Sequence, residues 1–538
     1  MQYNIAIRNN ISTLWRKRTL SKTFYEIAAL ILLCLVLFSY LQISPVIIDP
    51  DTFYHAKMTL LLKDGNLVTS FPWAYFTVLN ETYIDHHLLF HVMLVPFVTF
   101  FDPLIGMKVA GVILAILTIL TFYYVLKRIG IKYALFYSLA LMTVGPFIFR
   151  MSLGKTPPIS IIFLLFILLA IIKKRYILLG VLSYLYVLTY GMWPLAICIV
   201  LIYIFATWVI NYIYTSTSTQ YKTECRKLLT YTLTGIIAGI IINPYFPQNI
   251  KFYRYLFEIG IVPYDKVFKV GSEWASYDFM NIMASGAIVT SLALIAIIFF
   301  LVNIIGNGKS QQINPVEKNE NTISLSLFLM MLFFLFLTST SVRHIEYLIP
   351  FALLFSAYVL SATCRYPINE FISWIAKSYK KNHCLILVTS WLLATVVIIM
   401  ITKNVILTKS YLGSGKNMYH ARNIATWLKN NTPKKSIIFN SDFSNMPYLF
   451  YWNHDNHYVV GLDPVFMHQY DASLRQEWQN IIDGKIIDSL DAIIKKDFQS
   501  DYVVIMKPQK QFKENIINNK KFKLIYHDDA DGGVYQIL

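Results

Sequence analysis

The sequence predicts a polytopic α-helical membrane protein with about eleven spans, followed by a C-terminal α/β domain. Hydrophobic residues make up 56% of the chain and charged residues only 14%, and a single soluble core of that composition would leave large apolar patches exposed. Beyond about residue 402, charges become frequent and β-branched runs alternate with helical patterns. We therefore assign residues 1–402 to a membrane domain and residues 403–538 to an α/β domain.

The membrane spans are assigned to apolar runs of about 20 residues, the length that crosses a bilayer as a helix. The first run follows Arg16-Lys17-Arg18 and in this respect resembles a signal peptide, but it is long enough to span and no small-residue cleavage site follows it. We interpret it as a retained helix. The spans are predicted near residues 26–44, 106–126, 132–149, 157–172, 176–193, 194–212, 229–242, 280–304, 322–340, 345–362 and 384–402.

The basic residues indicate how these spans are oriented. The net charge is +17, and basic residues form short clusters between apolar runs, such as residues 127–128, 173–175 and 380–381. The clusters fall on alternate connections, on the side that the positive-inside rule assigns to the cytoplasm. We expect an integral protein of a bacterial or archaeal cell membrane, with a cytoplasmic N-terminus and an external α/β domain. The same distribution excludes a nucleic-acid-binding protein, because the basic residues form no separate patch.

Two long connections lie on the external side in this topology. The first, residues 45–105, includes an apolar stretch of about 14 residues at 88–101. We place this stretch along the membrane interface, because a further crossing would invert every later basic loop. The second connection is residues 243–279.

The α/β domain is predicted from short β-branched runs separated by helical patterns. Strands are expected at residues 436–439, 457–460 and 501–505, and helices at 417–430 and 487–497. The closing segment, residues 522–538, predicts a hairpin that turns at an Asp-Gly-Gly sequence.

Polar residues that are unusual at a membrane boundary gather on the external side. The first loop opens with residues 49–55, Asp-Pro-Asp-Thr-Phe-Tyr-His, which contain the candidates Asp49, Asp51, Tyr54 and His55. Acids, bases and histidines from separate loops that meet on one face predict a site assembled between helices. The remaining candidates on this face are Asp85, His86, His87, Arg150, Lys155, Glu273 and Arg343.

These residue types fit chemistry on a sugar that is carried by a polyprenyl phosphate. Such a sugar departs from a phosphate leaving group, so the site needs cations or a metal ion near the phosphate oxygens. Arg343, Lys155 and Arg150 are the candidates for binding the donor phosphate. The acceptor needs a carboxylate that takes its proton or holds it in line, for which Asp49 is the first choice and Asp51 the second.

This arrangement resembles the GT-C glycosyltransferases, and in layout most closely the catalytic subunit of oligosaccharyltransferases. The similarity lies in the acidic patch after the first helix, the large first external loop, the helical membrane core and the external α/β domain. The resemblance implies an enzyme that transfers a sugar or oligosaccharide from a polyprenyl-phosphate- or diphosphate-linked donor to an acceptor glycan, lipid or protein. The polyprenyl-linked sugar, that acceptor and the membrane lipids are the implied partners.

The resemblance also implies roles for individual residues. Residues 49–55 look like the family's first-loop acidic motif, whose aspartate orients metal and acceptor. Glu273 lies where the family carries an acid in its long external loop, and Arg343 matches an arginine that contacts the donor phosphate. Residues 427–433 and 441–447 occupy the place of the family's Trp-Trp-Asp-Tyr-Gly acceptor motif. We assign Asp49, Asp51 and Glu273 to catalysis, and Tyr54, His55, Asp85, His86, His87 and Asp442 to substrate binding.

The chain departs from the family's pattern at two places. Residues 441–447, Ser-Asp-Phe-Ser-Asn-Met-Pro, keep an aspartate but lack the tryptophan pair and the glycine, which argues against protein N-glycosylation. The turn at 150–158 contains no acid where metal-dependent members carry a second carboxylate motif. Two alternatives stay open: a divalent Mg or Mn ion held by Asp49 and Glu273, or a metal-free site in which Lys155 supplies positive charge to the donor phosphate.

Each candidate also has a purely structural interpretation. Asp49 and Asp51 could simply start an interfacial helix, where aspartate is favoured. Arg343 could extend toward the interface or pair with Glu346. Four further residues are spaced too irregularly for a metal site and are assigned to polar loops: Asp455, His457, Asp463 and His468.

The competing function is a transporter or flippase of a lipid-linked sugar. The predicted spans are nearly free of charged residues, and no half-and-half repeat with broken helices is evident. The polar residues gather at one boundary instead. This pattern favours an enzyme whose site opens to one side.

Overall fold

Helices form most of the described chain up to residue 413 in a computed structural model, which describes residues 2–214, 219–262, 264–266, 268, 270–276, 278–307, 314–363, 383–506 and 510–538. In this part the helices are α1 (Gln2–Gln42), α2 (Asp51–Lys63), α3 (Leu88–Phe100), α4 (Pro103–Arg128), α5 (Ala134–Leu141), α6 (Gly145–Met151), α7 (Pro157–Ile172), α8 (Tyr176–Thr189), α9 (Pro194–Ile213), α10 (Thr219–Ile241), α11 (Gln248–Ile261), α12 (Phe279–Ser285), α13 (Ala287–Asn307), α14 (Pro315–Thr340), α15 (Ile345–Thr363) and α16 (His383–Gly413).

Each of the eleven predicted spans coincides with one helix or with a pair of helices. Among the described residues, six helices are long and apolar enough to cross a membrane on their own, or seven spans if the bent pair α5 and α6 counts as one. Helices α3, α7 and α8 and most of α13 are apolar but shorter. The sequence therefore predicts a polytopic helical membrane protein correctly. Helix α16 ends at Gly413, beyond the predicted end of the last span at residue 402.

The predicted span at 132–149 is a bent pair of helices. The axes of α5 and α6 differ by 80°, with a break at residues 142–144. Pro146 lies in the first turn of α6, where its missing N–H costs nothing and its fixed φ favours a new helix start. The bend brings the C-terminal turn of α6, with Arg150, toward the site described below.

The α/β domain contains a five-stranded mixed sheet. The described strands are β1 (Val46–Ile47), β2 (Lys416–Asn417), β3 (Ile437–Asn440), β4 (His457–Tyr458), β5 (Ser500–Ile505), β6 (Phe522–Asp528) and β7 (Gly532–Ile537). The order of strands in the sheet is β4-β3-β5-β7-β6; β3 pairs in parallel with β4 and β5, and β7 is antiparallel to β5 and β6. The described helices are α17 (Arg422–Asn431), α18 (Met446–Trp452), α19 (Pro464–Tyr470), α20 (Ala472–Ile482), α21 (Leu490–Asp497) and α22 (Lys510–Asn518).

The first long loop connects this domain to the bundle. β1 of the loop pairs with β2 just after α16, and the backbone N–H of Tyr75 donates to the Tyr458 carbonyl at 2.8 Å. Phe53 of α2 packs edge-on against Tyr448 of α18, with ring centroids 4.7 Å apart. Because helix α2 is fixed from both sides, the side chains on its first turns have defined positions.

Candidate active site

A cavity of about 1790 Å³ lies between the helical bundle and the α/β domain. Its wall consists of the start of α2 and the turns that connect α6 to α7, α8 to α9 and α14 to α15. Ser441, Asp442 and Asp463 line it from the domain. Phe336 of α14 and Leu407 of α16 also line the cavity, yet expose 65% and 56% of their surface. The cavity therefore extends from a polar centre to apolar side chains on the outside of the bundle.

The polar centre is an ammonium group among three carboxylates. Lys155 Nζ lies 2.7 Å from Asp49 Oδ2, 2.8 Å from Asp51 Oδ2 and 3.5 Å from Glu273 Oε2. The three acids come from the first loop and from the second long connection, as the sequence predicts. We refer to Asp49, Asp51, Lys155 and Glu273 as the lysine–carboxylate cluster.

Local backbone geometry positions the members of this cluster. Asp49 Oδ1 accepts a hydrogen bond from the backbone N–H of Asp51 at 3.0 Å, which fixes the first carboxylate at the start of α2. The residue before the lysine is Gly154, and a Cβ at this position would lie 2.8 Å from Thr52 Cγ2. The absence of a side chain at Gly154 lets the α6–α7 turn approach α2 closely. That approach brings Lys155 to the carboxylates.

The cluster controls the protonation of its own members. Burial disfavours the charge on Lys155, but Asp49, Asp51 and Glu273 outweigh this effect and hold its pKa well above the ordinary value. Burial likewise disfavours the charge on Glu273, yet Lys155, Arg150 and Arg343 keep its pKa well below the usual range. For Asp51, burial together with Asp49 and Glu273 exceeds the effect of Lys155, and its pKa rises to about 6.

Arg150 links the cluster to the helical bundle. Its Nη1 donates to Glu273 Oε2 at 3.0 Å, and its Nε donates to Glu346 Oε2 at 2.6 Å. The sequence analysis considered Glu346 as a partner for Arg343, but the structure pairs Glu346 with Arg150. Arg150 thus binds two carboxylates and holds Glu273 in place.

Arg343 lies in the helical turn Val342–His344, just before α15, and has a different environment. Its guanidinium stacks on the indole of Trp274, 3.5 Å from the ring centroid. Its Nε is buried and has no hydrogen-bond partner among the described residues. No described carboxylate lies within ion-pair distance of this guanidinium, although Arg343 lines the same cavity as the cluster and lowers the pKa of Glu273 from a greater distance. A stacked arginine whose N–H groups are not taken up by a described carboxylate is suited to bind an anionic ligand.

The histidines of the first loop line another part of the cavity wall, next to Tyr54. Tyr54, His55, His86 and His87 line the cavity, whereas Asp85 lies behind this wall and is only 5% exposed. The Tyr54 hydroxyl bonds the Tyr83 hydroxyl at 2.6 Å. Burial lowers the pKa of His86 to about 4 and that of His55 well below the ordinary value. These histidines are therefore neutral at physiological pH.

Comparisons with solved structures identify the fold. An archaeal oligosaccharyltransferase, AglB from Archaeoglobus fulgidus in complex with an inhibitory peptide and a dolichol-phosphate, superposes with a TM-score of 0.63 at 12% identity, over 90% of this chain and 69% of that chain. The apo oligosaccharyltransferase of the same organism gives 0.64 at 12% identity, over 95% and 74%. The mycobacterial arabinofuranosyltransferase AftD gives 0.55 at 12% identity, over 95% and 41%. The chain shares the fold of these membrane glycosyltransferases. No protein-family model and no curated protein matches its sequence.

Two aspartates of the α/β domain line the cavity, and one of them also has a clear structural role. Asp442 lines the cavity, and its Oδ1 accepts hydrogen bonds from the backbone N–H and the hydroxyl of Ser444. It therefore caps the short helical turn Phe443–Asn445 that precedes α18. Asp463, which the sequence analysis assigned to a polar loop, also lines the cavity, and burial raises its pKa to about 6.

Three residues that line or support the cavity wall are not evident from the sequence. Trp274 supports Arg343, Tyr190 stacks on His87 with ring centroids 5.5 Å apart, and His91 bonds His55. A tryptophan next to Glu273 is a weak signal for the first of these. Tyr190 and His91 lie in apolar helical sequence, where the pattern gives no sign of a site.

A divalent metal ion does not fit the cluster in this arrangement. The expected ligands Asp49 and Glu273 both contact Lys155 Nζ, and a metal ion between them would lie next to a protonated ammonium group. Within the described ranges, no group of three or more His, Cys, Asp or Glu side chains has a geometry that could hold a metal ion. The expected metal ligands are thus already paired with the chain's own lysine.

Proposed function

We propose that the chain is a membrane glycosyltransferase that transfers a sugar from a polyprenyl-phosphate-linked donor to an acceptor. One observation carries the proposal: a single cavity combines the lysine–carboxylate cluster, an arginine without a described counter-ion and an opening toward apolar side chains. Such a cavity matches the three parts of the reaction, which are an acceptor, a phosphate leaving group and a lipid tail. The similar structures are glycosyltransferases, and one of them was solved with a dolichol-phosphate.

In this proposal Arg343 binds the donor phosphate. Its planar guanidinium offers two parallel N–H groups to two phosphate oxygens, and stacking on Trp274 fixes the plane. As the bond between sugar and phosphate breaks, negative charge grows on the phosphate. A cation already held in position stabilises that charge without reorganisation.

Asp51 takes the acceptor proton, and Asp49 anchors Lys155. Both carboxylate oxygens of Asp49 are engaged, one by the Asp51 N–H and the other by Lys155. The Asp51 side chain is 35% exposed to the cavity and contacts Lys155 through Oδ2. Its pKa of about 6 suits a base that works near neutral pH. This assignment changes the preference of the sequence analysis, which placed Asp49 first.

Lys155 supplies the positive charge at the centre of the site without a metal ion. Its ammonium offsets part of the charge of Asp49, Asp51 and Glu273 and places Asp51 for the acceptor. Because the lysine is part of the chain, its positive charge stays in the site, whereas a metal ion can dissociate into solvent. We propose that the polyprenyl tail leaves the cavity past Phe336 and Leu407, and that the cavity opens on the external face.

The experiment is a transfer assay with the purified full chain in lipid nanodiscs. A panel of undecaprenyl- and dolichyl-phosphate-linked and diphosphate-linked sugars is offered, and release of the free polyprenyl phosphate or diphosphate is measured. Arg343→Ala should lower kcat/KM by roughly 10²- to 10³-fold, and Arg343→Lys should recover part of it.

The matched control is Arg422→Ala. Arg422 also stacks on a tryptophan, 5.4 Å from the Trp452 ring, but lies outside the cavity. This variant should keep wild-type activity. Intact passage of a lipid-linked sugar across a vesicle membrane, with no cleavage of any donor, would instead identify a carrier.

A further inference from the structure

A hydrogen-bonded line of three side chains runs behind the cavity wall. Asp85 Oδ2 lies 2.7 Å from His91 Nδ1, and His91 Nε2 lies 2.8 Å from His55 Nδ1. Asp85 is 5% exposed, His91 0% and His55 3%. His55 alone of the three lines the cavity. The line therefore connects a buried carboxylate to the cavity surface.

The carboxylate fixes the tautomers along this line. We assign the bond between Asp85 and His91 with Asp85 Oδ2 as the acceptor, so that His91 donates its Nδ1–H and keeps a lone pair on Nε2. His91 Nε2 can then only accept, so His55 donates its Nδ1–H and keeps a lone pair on its own Nε2. In the described part of the chain no group donates to that atom. His55 Nε2 is thus a fixed hydrogen-bond acceptor at the cavity wall.

A second histidine lies next to it. His87 is 8% exposed and lines the cavity. The rings of His55 and His87 are 5.0 Å apart, and the face of His87 stacks on Tyr190. His55, His87 and Tyr190 thus form adjoining parts of the wall.

We propose that His55 binds a hydroxyl group of a sugar at this wall, with His91 and Asp85 as positioning residues. A neutral acceptor calls for a ligand that carries an O–H donor. Its lone pair repels phosphate oxygens, so this wall is not a second phosphate site. The proposal rests on the proposed glycosyl transfer and specifies the substrate chemistry of the same cavity.

The test uses the full chain in nanodiscs and two kinds of probe. Binding of undecaprenyl phosphate, which has no sugar, is measured directly, and KM is measured for the donor and acceptor that support transfer. His55→Phe keeps the ring but removes the acceptor atom. It should leave the Kd for undecaprenyl phosphate within about twofold of wild type and lower kcat/KM for the sugar substrate by roughly tenfold to 100-fold.

Three further variants separate binding from folding. His55→Gln keeps an acceptor oxygen and should retain more activity than His55→Phe. Asp85→Asn, which removes the charge that fixes the tautomers, should change the same parameter as His55→Phe but less. His454→Phe is the control, because His454 is partly buried against Lys57 and does not line the cavity.

The parameter that changes identifies which sugar is bound. A rise in the KM of the donor places the donor sugar at the wall, and a rise in the KM of the acceptor places an acceptor sugar there. Equal loss of undecaprenyl phosphate binding in His55→Phe and His55→Gln would show a merely structural role and overturn the proposal, as would wild-type kinetics in both. A wild type that cleaves no donor refutes the proposed function itself, and with it this extension.

Discussion

Lys155 shows how much a single side chain changes the chemistry of this cavity. From the sequence it is a basic residue in a turn that lacks an acidic motif. In the structure its ammonium contacts Asp49 and Asp51 and lies near Glu273. An acid at this position would add a ligand for a divalent cation, whereas the lysine provides a cation itself. Of the two cofactor alternatives that the sequence leaves open, we therefore propose the metal-free one.

Removal of the lysine should create a metal site. In Lys155→Ala, Asp49 and Asp51 lose their counter-ion and Glu273 keeps only Arg150, and oxygen ligands of this kind bind Mn²⁺. Titration of the purified full chain with Mn²⁺, followed by electron paramagnetic resonance, should show binding in Lys155→Ala and none in the wild type. Lys57→Ala, which removes a lysine outside the cavity, is the control. Mn²⁺ binding by the wild type that Asp49→Asn abolishes would contradict the metal-free account.

The pH dependence of transfer should report Asp51. Its pKa is raised to about 6, so the carboxylate is protonated and unable to accept a proton below that pH. kcat/KM should therefore rise with pH through about 6 and level off above it. Asp51→Asn should lower the plateau by roughly 10²- to 10⁴-fold and remove this rise. The same rise in Asp51→Asn would assign the titration to another group.

At the scale of elements, helix α2 organises the site. Its first turns place Asp51, Tyr54 and His55 on the cavity wall, while Phe53 packs against Tyr448 of the α/β domain. The sequence indicates this patch because charged and aromatic residues directly follow an apolar run. It does not indicate that α2 contacts the α6–α7 turn, since that contact depends on Gly154 and Thr52, which are distant along the chain.

A side chain at residue 154 should disrupt the site through this contact. The Cβ in Gly154→Ala would lie 2.8 Å from Thr52 Cγ2 and 2.9 Å from Thr52 Oγ1, closer than van der Waals contact allows. Displacement of the turn should separate Lys155 from the carboxylates and reduce transfer at least tenfold. Thr52→Ala removes both clashing atoms, so the double variant should recover activity. A double variant as inactive as Gly154→Ala would show that the contact does not position Lys155.

Helix positions are the part of the fold that the sequence predicts well. Each of the eleven predicted apolar runs coincides with one helix or a pair of helices in the structure, because hydrophobic length is a local property of the chain. The 80° bend between α5 and α6 is missed, since an apolar run continues across it and only Gly145-Pro146 marks the break. This bend directs Arg150 to the cavity, so a local error in the prediction has a consequence for the site.

At the scale of the whole molecule, the cavity exists because two parts of the chain meet. The bundle contributes the lysine–carboxylate cluster and Arg343, and the α/β domain contributes Asp442 and Asp463. The sequence identifies both parts and most of the polar residues. It leaves out the ion pairs among them, together with Tyr190, Trp274 and His91, because these contacts arise only when distant segments pack.

The orientation of the molecule is testable with reporters. If the basic loops set the topology, a reporter fused after Gly413, where α16 ends, should lie outside the cytoplasm and one inserted at Lys174 inside. Alkaline phosphatase and green fluorescent protein fusions at both positions distinguish these compartments. A cytoplasmic reporter after Gly413 would reverse the proposed side of the cavity.

The most direct test of the central claim is a structure of the full chain with undecaprenyl phosphate bound, solved by electron cryomicroscopy in nanodiscs. The account predicts the phosphate at Arg343, within hydrogen-bond distance of the guanidinium, and the tail passing Phe336 and Leu407 into the lipid. Lys155 should still contact Asp49 and Asp51, with no metal density between them. A phosphate bound outside this cavity, or a metal ion between the carboxylates with Lys155 displaced, would contradict it.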